Sequence, residues 1–446
     1  MLNFFKSKKK KKKTPPYSQR VGAFDEKPCF EYLLPWAYVS AQTGVVYGKD
    51  NSLMAVFTFR GPDMASSTPE ELVQYNAALN NVFKALPTGY VLYFEAQRHF
   101  SDAYEAAEIG VPLVQVMENE RKDYYKSQQH FESTYYFIVY YEPPQLLKRK
   151  LTDAFIKDAN RGENSEQDLR LVEETTEKFI NNVNLIGSML SHLFPDIKAL
   201  DADETLTYLH STVSNRHVEV KNNPLRYICD YIFDESGFTA GREPKLGDKH
   251  MRVVTILNFP PMSTPGVFDA LNNLNMEYRW VSRFICMSQQ DAKKELKNYK
   301  TLWSQQVLNP LAIARKAVTK EAPTENDSDE AAIINKDDLT VALAELSEDL
   351  VAYGYYTMTV IVKDDDAKKC NEKANQILDV INSMGYTGYI EKDNSTEAWW
   401  GSLPGCYRAN IRRPIINSLN FCHLAPITAT WSGDKRNEYL KGPVLL

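Results

Sequence analysis

The sequence predicts an α+β fold with two tandem α/β sandwich units, each a split βαβ-like sheet with helices on one face, joined by a helical segment. Strand and helix patterns alternate through residues 53–143, charged helical sequence follows, and a second alternation begins near 251. The predicted divisions are a disordered basic tail (1–20), a first α+β unit (21–145), a helical segment (146–215), a second α+β unit (216–396) with a mobile acidic loop (319–332), and a connector (397–446).

The first unit is predicted to run strand, helix, strand, helix, strand. A strand that ends at Gly-Pro is predicted for LMAVFTFRGPD, and a helix with a Ser/Thr cap and a first-turn proline for STPEELVQYNAALNNVFKALPTG. A strand, a helix and a strand closed by Pro-Pro are then predicted for YVLYFEAQRHF, VPLVQVMENERKDYYKSQ and STYYFIVYYEPP. This order supplies the ingredients of a split βαβ sandwich.

The helical segment contains one long amphipathic pattern. Its apolar stripe has spacings of three and four residues and comprises Leu169, Val172, Thr176, Phe179, Val183, Ile186, Leu190 and Leu193. Such a stripe must pack on a core. In the second unit, strands are predicted for MRVVTILNFP, YRWVSRFICM, YGYYTMTVIVKD and YTGYIEKD, with helices near Gln289 and over DAKKCNEKANQILDVINSMG.

The composition indicates a soluble globular protein. The 446 residues are 43% hydrophobic and 25% charged, which is enough apolar sequence to form sizeable cores. We find no apolar run long enough to span a bilayer and no signal-peptide pattern, so we expect a cytoplasmic protein. The six cysteines form no CxxC pair, which makes a disulfide framework or a zinc ribbon improbable and favours reduced thiols.

The charge is unevenly distributed. The first 20 residues carry eight positive charges and no acid, leaving 44 basic against 58 acidic residues in the rest. We expect this tail to be disordered and to contact an anionic membrane surface through Lys8, Lys9, Lys10, Lys11, Lys12 and Lys13. A solvated tail that has no function explains this stretch of sequence equally well. Direct nucleic-acid binding is not expected, because the acidic body would repel phosphates.

The motifs of catalytic and metal sites are missing from the sequence. Seven histidines have no paired-ligand spacing, and no GxSxG elbow occurs. The stretch TGVVYGKDN resembles a phosphate-binding loop, but its glycines Gly44 and Gly48 are too close together, and Asp50 stands where a Ser or Thr hydroxyl is needed. We therefore predict a hairpin turn there, and no catalytic residue, metal or cofactor in this chain.

The connector is rich in residues that restrict the backbone. Two tryptophans precede Gly-Ser-Leu-Pro-Gly, two arginines precede a proline, and a second aromatic-glycine corner follows. The predicted connector and interaction residues are Trp400, Gly401, Pro404, Gly405, Arg412, Arg413, Pro414, Trp431 and Gly433. On composition alone, a structural loop that closes one domain is the favoured explanation of these residues.

The order AWWGSLPG, YRANIRRPIINSLNF, HLAPITATWSG resembles the TrbE-like branch of the CagE/TrbE/VirB family, the large ATPases of conjugative type IV secretion systems. Further similar blocks are YLLPWAYVSAQTGVVYGKDNSLMAVFTFRGPD, MRVVTILNFPPMSTPGVFDALNNL, EYRWVSRFI and VAYGYYTMTVIV, so that the resemblance covers roughly residues 32–442. In that family the segment after the WSG corner leads into a Walker A loop and a RecA-like motor domain.

The resemblance implies an N-terminal assembly and docking part of a conjugation ATPase. ATP and Mg are then expected only for the missing C-terminal domain. The implied partners are other type IV secretion components and the chain's own or a split motor domain, with homo-oligomers and a peripheral position at the inner membrane as further expectations. The alternative is half of a split ATPase that hydrolyses ATP only with a second polypeptide.

A coupling role makes a structural prediction. If the connector lays its arginines against a motor domain, Arg412 and Arg413 should be exposed and should lack carboxylate partners in this chain. Trp400, Pro404 and Trp431 should instead be packed and hold the connector in place. Two internal salt bridges would count against coupling.

Overall fold

The computed structural model describes residues 33–63, 67–101, 104, 110–144, 165–232, 237–260, 262–306, 330–409, 412–428 and 439. The predicted basic tail (1–20), most of the predicted acidic loop (319–332), and the predicted connector residues Trp431 and Gly433 lie outside these residues.

Helices and strands alternate through both predicted units. The strands are β1 (Trp36–Val39), β2 (Val46–Gly48), β3 (Leu53–Arg60), β4 (Tyr90–Ser101), β5 (His130–Tyr141), β6 (Asp196–Ala199), β7 (Phe238–Thr239), β8 (Lys245–Leu246), β9 (Lys249–Asn258), β10 (Tyr278–Cys286), β11 (Tyr353–Asp364), β12 (Thr387–Ile390) and β13 (Ile415–Asn417). The helices are α1 (Pro69–Lys84), α2 (Pro112–Ser127), α3 (Ser165–Leu190), α4 (Ala202–Val213), α5 (Gln289–Gln306), α6 (Glu330–Ser347), α7 (Ala367–Ser383), α8 (Ser395–Ser402) and α9 (Ser418–Leu424), with two short 3-10 turns at Ile228–Asp230 and Asp269–Asn273.

The strands of both units lie in one antiparallel sheet. Its order is β1-β2-β3-β5-β4-β10-β11-β9-β8-β7, while β6 pairs with β3, β12 with β9 and β13 with β11. The two units meet where β4 and β10 pair, from Arg98 opposite Tyr278 to Val91 opposite Ile285. The predicted α+β class is confirmed, and the two predicted sheets are joined edge to edge into a single one.

Helices cover both faces of this sheet, which corrects the prediction of helices on one face only. Along β4 the alternate residues Leu92 and Phe94 belong to a core with α1, α3, α7 and α9, whereas Val91 and Tyr93 belong to a second core with α4 and α8. The physical reason is that successive side chains of a strand point to opposite faces. Since β4 carries buried apolar side chains on both faces of the sheet, helices must pack on each face.

Local sequence signals are confirmed where the structure describes them. Helix α1 begins with a capping box, because Glu71 N donates to Thr68 Oγ1 (3.3 Å) and Thr68 N donates to the Glu71 carboxylate (2.9 Å). The predicted turn after β2 is a hairpin in which Gly48 N donates to Ser52 O (2.8 Å). The predicted stripe of α3 is buried at Phe179, Val183, Ile186 and Leu190.

The described helices include none that is long and apolar enough to cross a bilayer.

Candidate interaction site: the anchored C-terminal segment

Two arginines on β10 lie under the C-terminal segment. Arg279 and Arg283 are four residues apart, so both side chains lie on the sheet face covered by α4 and α8. They are 8% and 2% exposed, respectively. A guanidinium is always charged, and burial is tolerated only if its donors are satisfied. The structure shows where most of those donors go.

Arg279 binds a carboxylate from the first unit and the end of α8. Its Nε and Nη2 donate to Glu95 Oε1 (2.6 Å) and Oε2 (2.8 Å), a bidentate pair. Its Nη1 and Nη2 also donate to Ser402 Oγ (2.8 Å) and Ser402 O (2.9 Å). The guanidinium therefore joins β4 of the first unit to the connector.

Helix α4 completes this cluster. Glu95 is fully buried and also accepts hydrogen bonds from Tyr208 Oη (2.8 Å) and Gln97 Nε2 (2.8 Å). Burial and the neighbouring Glu95 charge raise the pKa of Tyr208 well above its usual value, so the phenol remains a donor. We call Glu95, Gln97, Tyr208, Arg279 and Ser402 the Arg279 network. It contains residues from all four predicted segments between 21 and 446.

Arg283 holds the backbone that follows α8. Its Nη1 donates to Gly401 O (2.5 Å) and Ala409 O (3.4 Å), and Nη2 donates to Thr357 Oγ1 (3.1 Å). Burial lowers the pKa of Arg283, although the nearby Tyr93 and Cys406 favour the charged form. Gly401 must be a glycine here, because a Cβ would lie 2.0 Å from Ala409 O.

The Gly-Ser-Leu-Pro-Gly turn is fixed by aromatic residues of the first unit. Trp36 Nε1 donates to Pro404 O (2.8 Å), and Gly405 N donates to Tyr93 Oη (3.3 Å). Gly405 has a φ of 87°, a conformation that favours glycine. Pro404 is buried as predicted.

The two adjacent tryptophans of α8 differ in burial. Trp399 is 2% exposed and stacks on Phe238, with ring centroids 4.3 Å apart. Trp400 is half-buried and packs at the edge of the same core. The tryptophan that anchors the segment most deeply is therefore Trp399, and the prediction had named Trp400.

The prediction that Arg412 lacks a carboxylate partner is wrong. Arg412 Nη2 lies 2.7 Å from Glu391 Oε1, and its guanidinium lies over the Tyr389 ring. The physical reason is that the Glu391 side chain is only 1% exposed, and a buried carboxylate requires a cationic or hydrogen-bonding partner. Arg413 is exposed as predicted and has no ion-pair partner among the described residues.

The segment then crosses to the other face of the sheet. Pro414 O accepts a hydrogen bond from Tyr356 N (2.9 Å), and β13 pairs with β11. In α9, Phe421 is fully buried and packs against Phe83 of α1 and Phe284 of β10. Residues 395–409 therefore lie on the α4 face, and the segment 412–428 ends on the α1 face, each held by the contacts described above.

Sequence reasoning did not identify Glu95, Arg279 and Arg283, the charged residues that anchor this segment. The available signal was a pair of arginines inside the predicted strand YRWVSRFICM and a glutamate inside the predicted strand YVLYFEAQRHF. Charged residues within strands that are otherwise apolar are rarely buried unless they are paired. This pattern predicts buried ion pairing without identifying the partners.

The described part of the chain contains no group of His, Cys, Asp or Glu that would hold a metal ion. The five described cysteines are free and buried.

Two family models match this chain. Residues 44–148 match the N-terminal domain of the type IV secretion system ATPase VirB4/TrbE. Residues 188–412 match the CagE, TrbE, VirB family, a component of the type IV transporter system. The second match includes β10 and α8, and with them both anchoring arginines.

Curated relatives agree with these matches. The chain is 28% identical to the conjugal transfer protein TrbE of Rhizobium radiobacter, over 91% of this chain and 50% of that protein. Two separate proteins of Sinorhizobium fredii, each named as one portion of a probable conjugal transfer protein TrbE, are 33% and 31% identical over 52% and 27% of this chain. The chain spans half of the Rhizobium protein and a third (34%) of the first of these two Sinorhizobium proteins. It belongs to the CagE, TrbE, VirB family of type IV secretion system components.

Proposed function

We propose that this chain is the N-terminal assembly and docking part of a TrbE-type conjugal transfer ATPase, and that the ATP-hydrolysing motor lies outside these 446 residues. The observation that carries the proposal is the anchoring of residues 395–409 and 412–428. Arg279 and Arg283 fix the start of this segment on one face of the sheet, and Phe421 fixes its end on the other. A domain that follows a segment held in this way keeps a defined position relative to the sheet.

ATP and Mg belong to the motor in this proposal. The sequence of this chain has no Gly-Lys-Ser/Thr stretch, so it offers no loop that combines backbone amides, a lysine and a hydroxyl around a phosphate chain. The test is ATP turnover by the purified chain with Mg present. We expect the purified chain to hydrolyse ATP no faster than a mock preparation from cells without the gene. An ATP turnover rate that increases with the amount of chain and persists through every purification step would overturn the proposal.

The partners proposed are other type IV secretion components, contacted in part through Arg413. This guanidinium is exposed on the anchored segment and makes no ion pair with a described residue, and its planar fork suits a carboxylate or a phosphate. We expect Arg413→Ala to lower conjugative DNA transfer roughly tenfold, as for the loss of one interface contact of about 1.4 kcal/mol. Arg226→Ala, which removes an exposed arginine from another loop, is the matched control.

Both variants should melt like the wild type, because an exposed arginine without an ion pair contributes within about 0.5 kcal/mol to stability. The role of Arg413 would be refuted if Arg413→Ala transferred DNA at the wild-type frequency, or if Arg226→Ala lowered the transfer frequency as much as Arg413→Ala does. The paired Arg412 is not suited to this test, since its substitution would leave the buried Glu391 without its cationic partner.

A peripheral position on the cytoplasmic side of the inner membrane is also proposed, through Lys8–Lys13. Each lysine near an anionic surface contributes about 1 kcal/mol, and salt screens this attraction. We expect salt-sensitive binding to anionic vesicles that is lost in a chain lacking residues 1–13. Equal binding by the shortened chain would exclude the tail as the membrane contact.

A split ATPase is a second candidate function. In Sinorhizobium fredii two separate proteins, each named as a portion of TrbE, both match this chain. An ATPase of this family divided between polypeptides would gain turnover only when they combine. Mixing this chain with a polypeptide that carries a Walker A loop, and measuring ATP turnover of the mixture against each component alone, tests this candidate.

A further inference from the structure

A cleft of about 110 Å³ lies beside the Arg279 network. It is formed by the ends of β4 and β10, the residues that follow α4, and parts of β9 and β11. Gln97, Arg279 and Trp399 are among the residues that line it. The charged and titratable residues that line the remainder are mainly Arg98, His99, Arg216, His217, Lys249 and Lys363.

The cleft is basic although the protein is acidic. The whole chain has a net charge of −6, yet the lining includes Arg98, Arg216, Lys249 and Lys363 against a single carboxylate, Glu277. Burial, His99 and Lys363 lower the pKa of His217, against an opposing effect of Glu277. His217 is therefore in a region where positive charge accumulates.

Two of these cations have no partner in the described part of the chain. Arg98 is oriented by bonds to Leu274 O (3.0 Å) and Ser133 Oγ (3.3 Å), and Lys363 Nζ donates to Ser214 O (3.0 Å). The side chains of Arg216 and Lys249, by contrast, make no hydrogen bond or ion pair with any described residue. Their charges are available to a ligand.

A polar amide also lines the cleft. Asn215 lines the cleft, and its Nδ2 donates to Leu246 O (2.5 Å), which fixes the orientation of the amide. Its Oδ1 is buried and accepts no hydrogen bond from a described residue. A buried acceptor without a donor costs free energy. A phosphate group provides negative charge for the cations that line the cleft.

We infer that this cleft binds a phosphate group, supplied either by a small soluble phosphate or by a lipid headgroup. The size is suitable, because a cavity of about 150 Å³ holds a benzene ring and the present cleft is somewhat smaller. Arginine and lysine donors form strong charge-assisted hydrogen bonds to phosphate oxygens. The partial negative charge at the C-terminal end of α4 would repel an anion in the cleft. The ammonium group of Lys363 offsets this charge, because it donates a hydrogen bond to the Ser214 carbonyl just after the helix.

The inference goes beyond the docking role proposed above. Gln97 and Arg279 belong both to the cleft wall and to the Arg279 network, which holds Ser402 in place. A phosphate in the cleft would therefore contact the residues that anchor the C-terminal segment. Ligand binding and anchoring share side chains.

The test is calorimetric titration of the full chain with inorganic pyrophosphate, together with flotation on cardiolipin vesicles. The variant is Arg216→Gln/Lys249→Gln, which removes the two cations that lack partners. The matched control is Arg226→Gln/Lys294→Gln, which removes the same charge from exposed positions outside the cleft. Since none of the four side chains has a partner among the described residues, both double variants should keep the wild-type melting temperature.

We expect the cleft variant to weaken pyrophosphate binding about tenfold or more and the control to bind like the wild type. Saturable pyrophosphate binding with this pattern identifies a soluble phosphate as a source. A flat pyrophosphate titration, combined with vesicle flotation that falls in the cleft variant alone, identifies a lipid headgroup. Flotation is measured on versions of all three proteins that lack residues 1–13, because the basic tail would otherwise bind the anionic vesicles in each of them. Equal binding by all three proteins to both probes, or no binding at all, would overturn the inference.

Discussion

Arg279→Met should destabilise the protein by removing the cation that joins the two halves of the sheet. Methionine fills much of the same volume but has no donor, so the substitution mainly tests charge and hydrogen bonding. Four hydrogen bonds would be lost, two to the Glu95 carboxylate and two to Ser402. Glu95, which is fully buried, would lose its only ion-pair partner among the described residues.

The expected loss in free energy of unfolding is about 3 kcal/mol, at the lower end of the range of about 3–5 kcal/mol for breaking a buried ion pair. The lower end applies because Glu95 keeps hydrogen bonds from Tyr208 and Gln97. In the double variant Glu95→Gln/Arg279→Met the buried charge is removed as well. The double variant should lose about 1–3 kcal/mol less free energy of unfolding than the sum of the losses in the two single variants.

Urea unfolding followed by tryptophan fluorescence measures these differences, and hydrogen exchange locates them. We expect faster exchange over residues 395–409 in Arg279→Met, because Ser402 is no longer held. A single variant that unfolds within about 1 kcal/mol of the wild type, or a double variant whose loss equals the sum of the single losses, would show that the pair does not stabilise the junction.

Other substitutions test the anchored segment and one buried acid. Gly401→Ala should destabilise the protein by about 1–3 kcal/mol, since the added Cβ would overlap a backbone carbonyl. The control Gly237→Ala should be nearly neutral, because no atom lies within 4 Å of its added Cβ. The melting temperatures of the two variants test this difference. Trp399→Ala should cost about 3–5 kcal/mol and the half-buried Trp400→Ala clearly less, as measured by urea unfolding. Burial raises the pKa of Asp269 to about 6, so the folded state favours the neutral carboxyl. The free energy of unfolding should therefore fall by up to about 3 kcal/mol as the pH rises from about 4 to about 6. The variant Asp269→Asn should lack this part of the pH dependence.

Elements that depend on nearby residues were predictable from the sequence. The capping box of α1 lies within four residues, and the turn after β2 follows from its glycine and its polar residues. The stripe of α3 follows from the helical period alone. The strand β10 was also predicted, because an apolar run bounded by polar sequence is typical of a buried strand.

Contacts between distant residues were not predictable. Both β4 and β10 are buried on both faces, so their patterns do not indicate which strand lies beside which. The partner of Arg412 is Glu391, 21 residues earlier and in no regular spacing. Trp399 and Trp400 are adjacent, and the sequence does not show which one the helix turns towards the core.

The pairing of β4 with β10 also has a consequence for the order of events during synthesis. Strand β4 pairs with β5 soon after both have been made, but its other edge must wait for β10, and the paired Glu95 and Arg279 are 184 residues apart. At about 5–20 residues per second the ribosome needs on the order of ten to forty seconds to make the intervening chain. During that interval the nascent first unit carries an open, apolar strand edge, which is the kind of edge that pairs with other chains. Aggregation on expression should therefore be most sensitive to changes that slow the synthesis of residues 102–278.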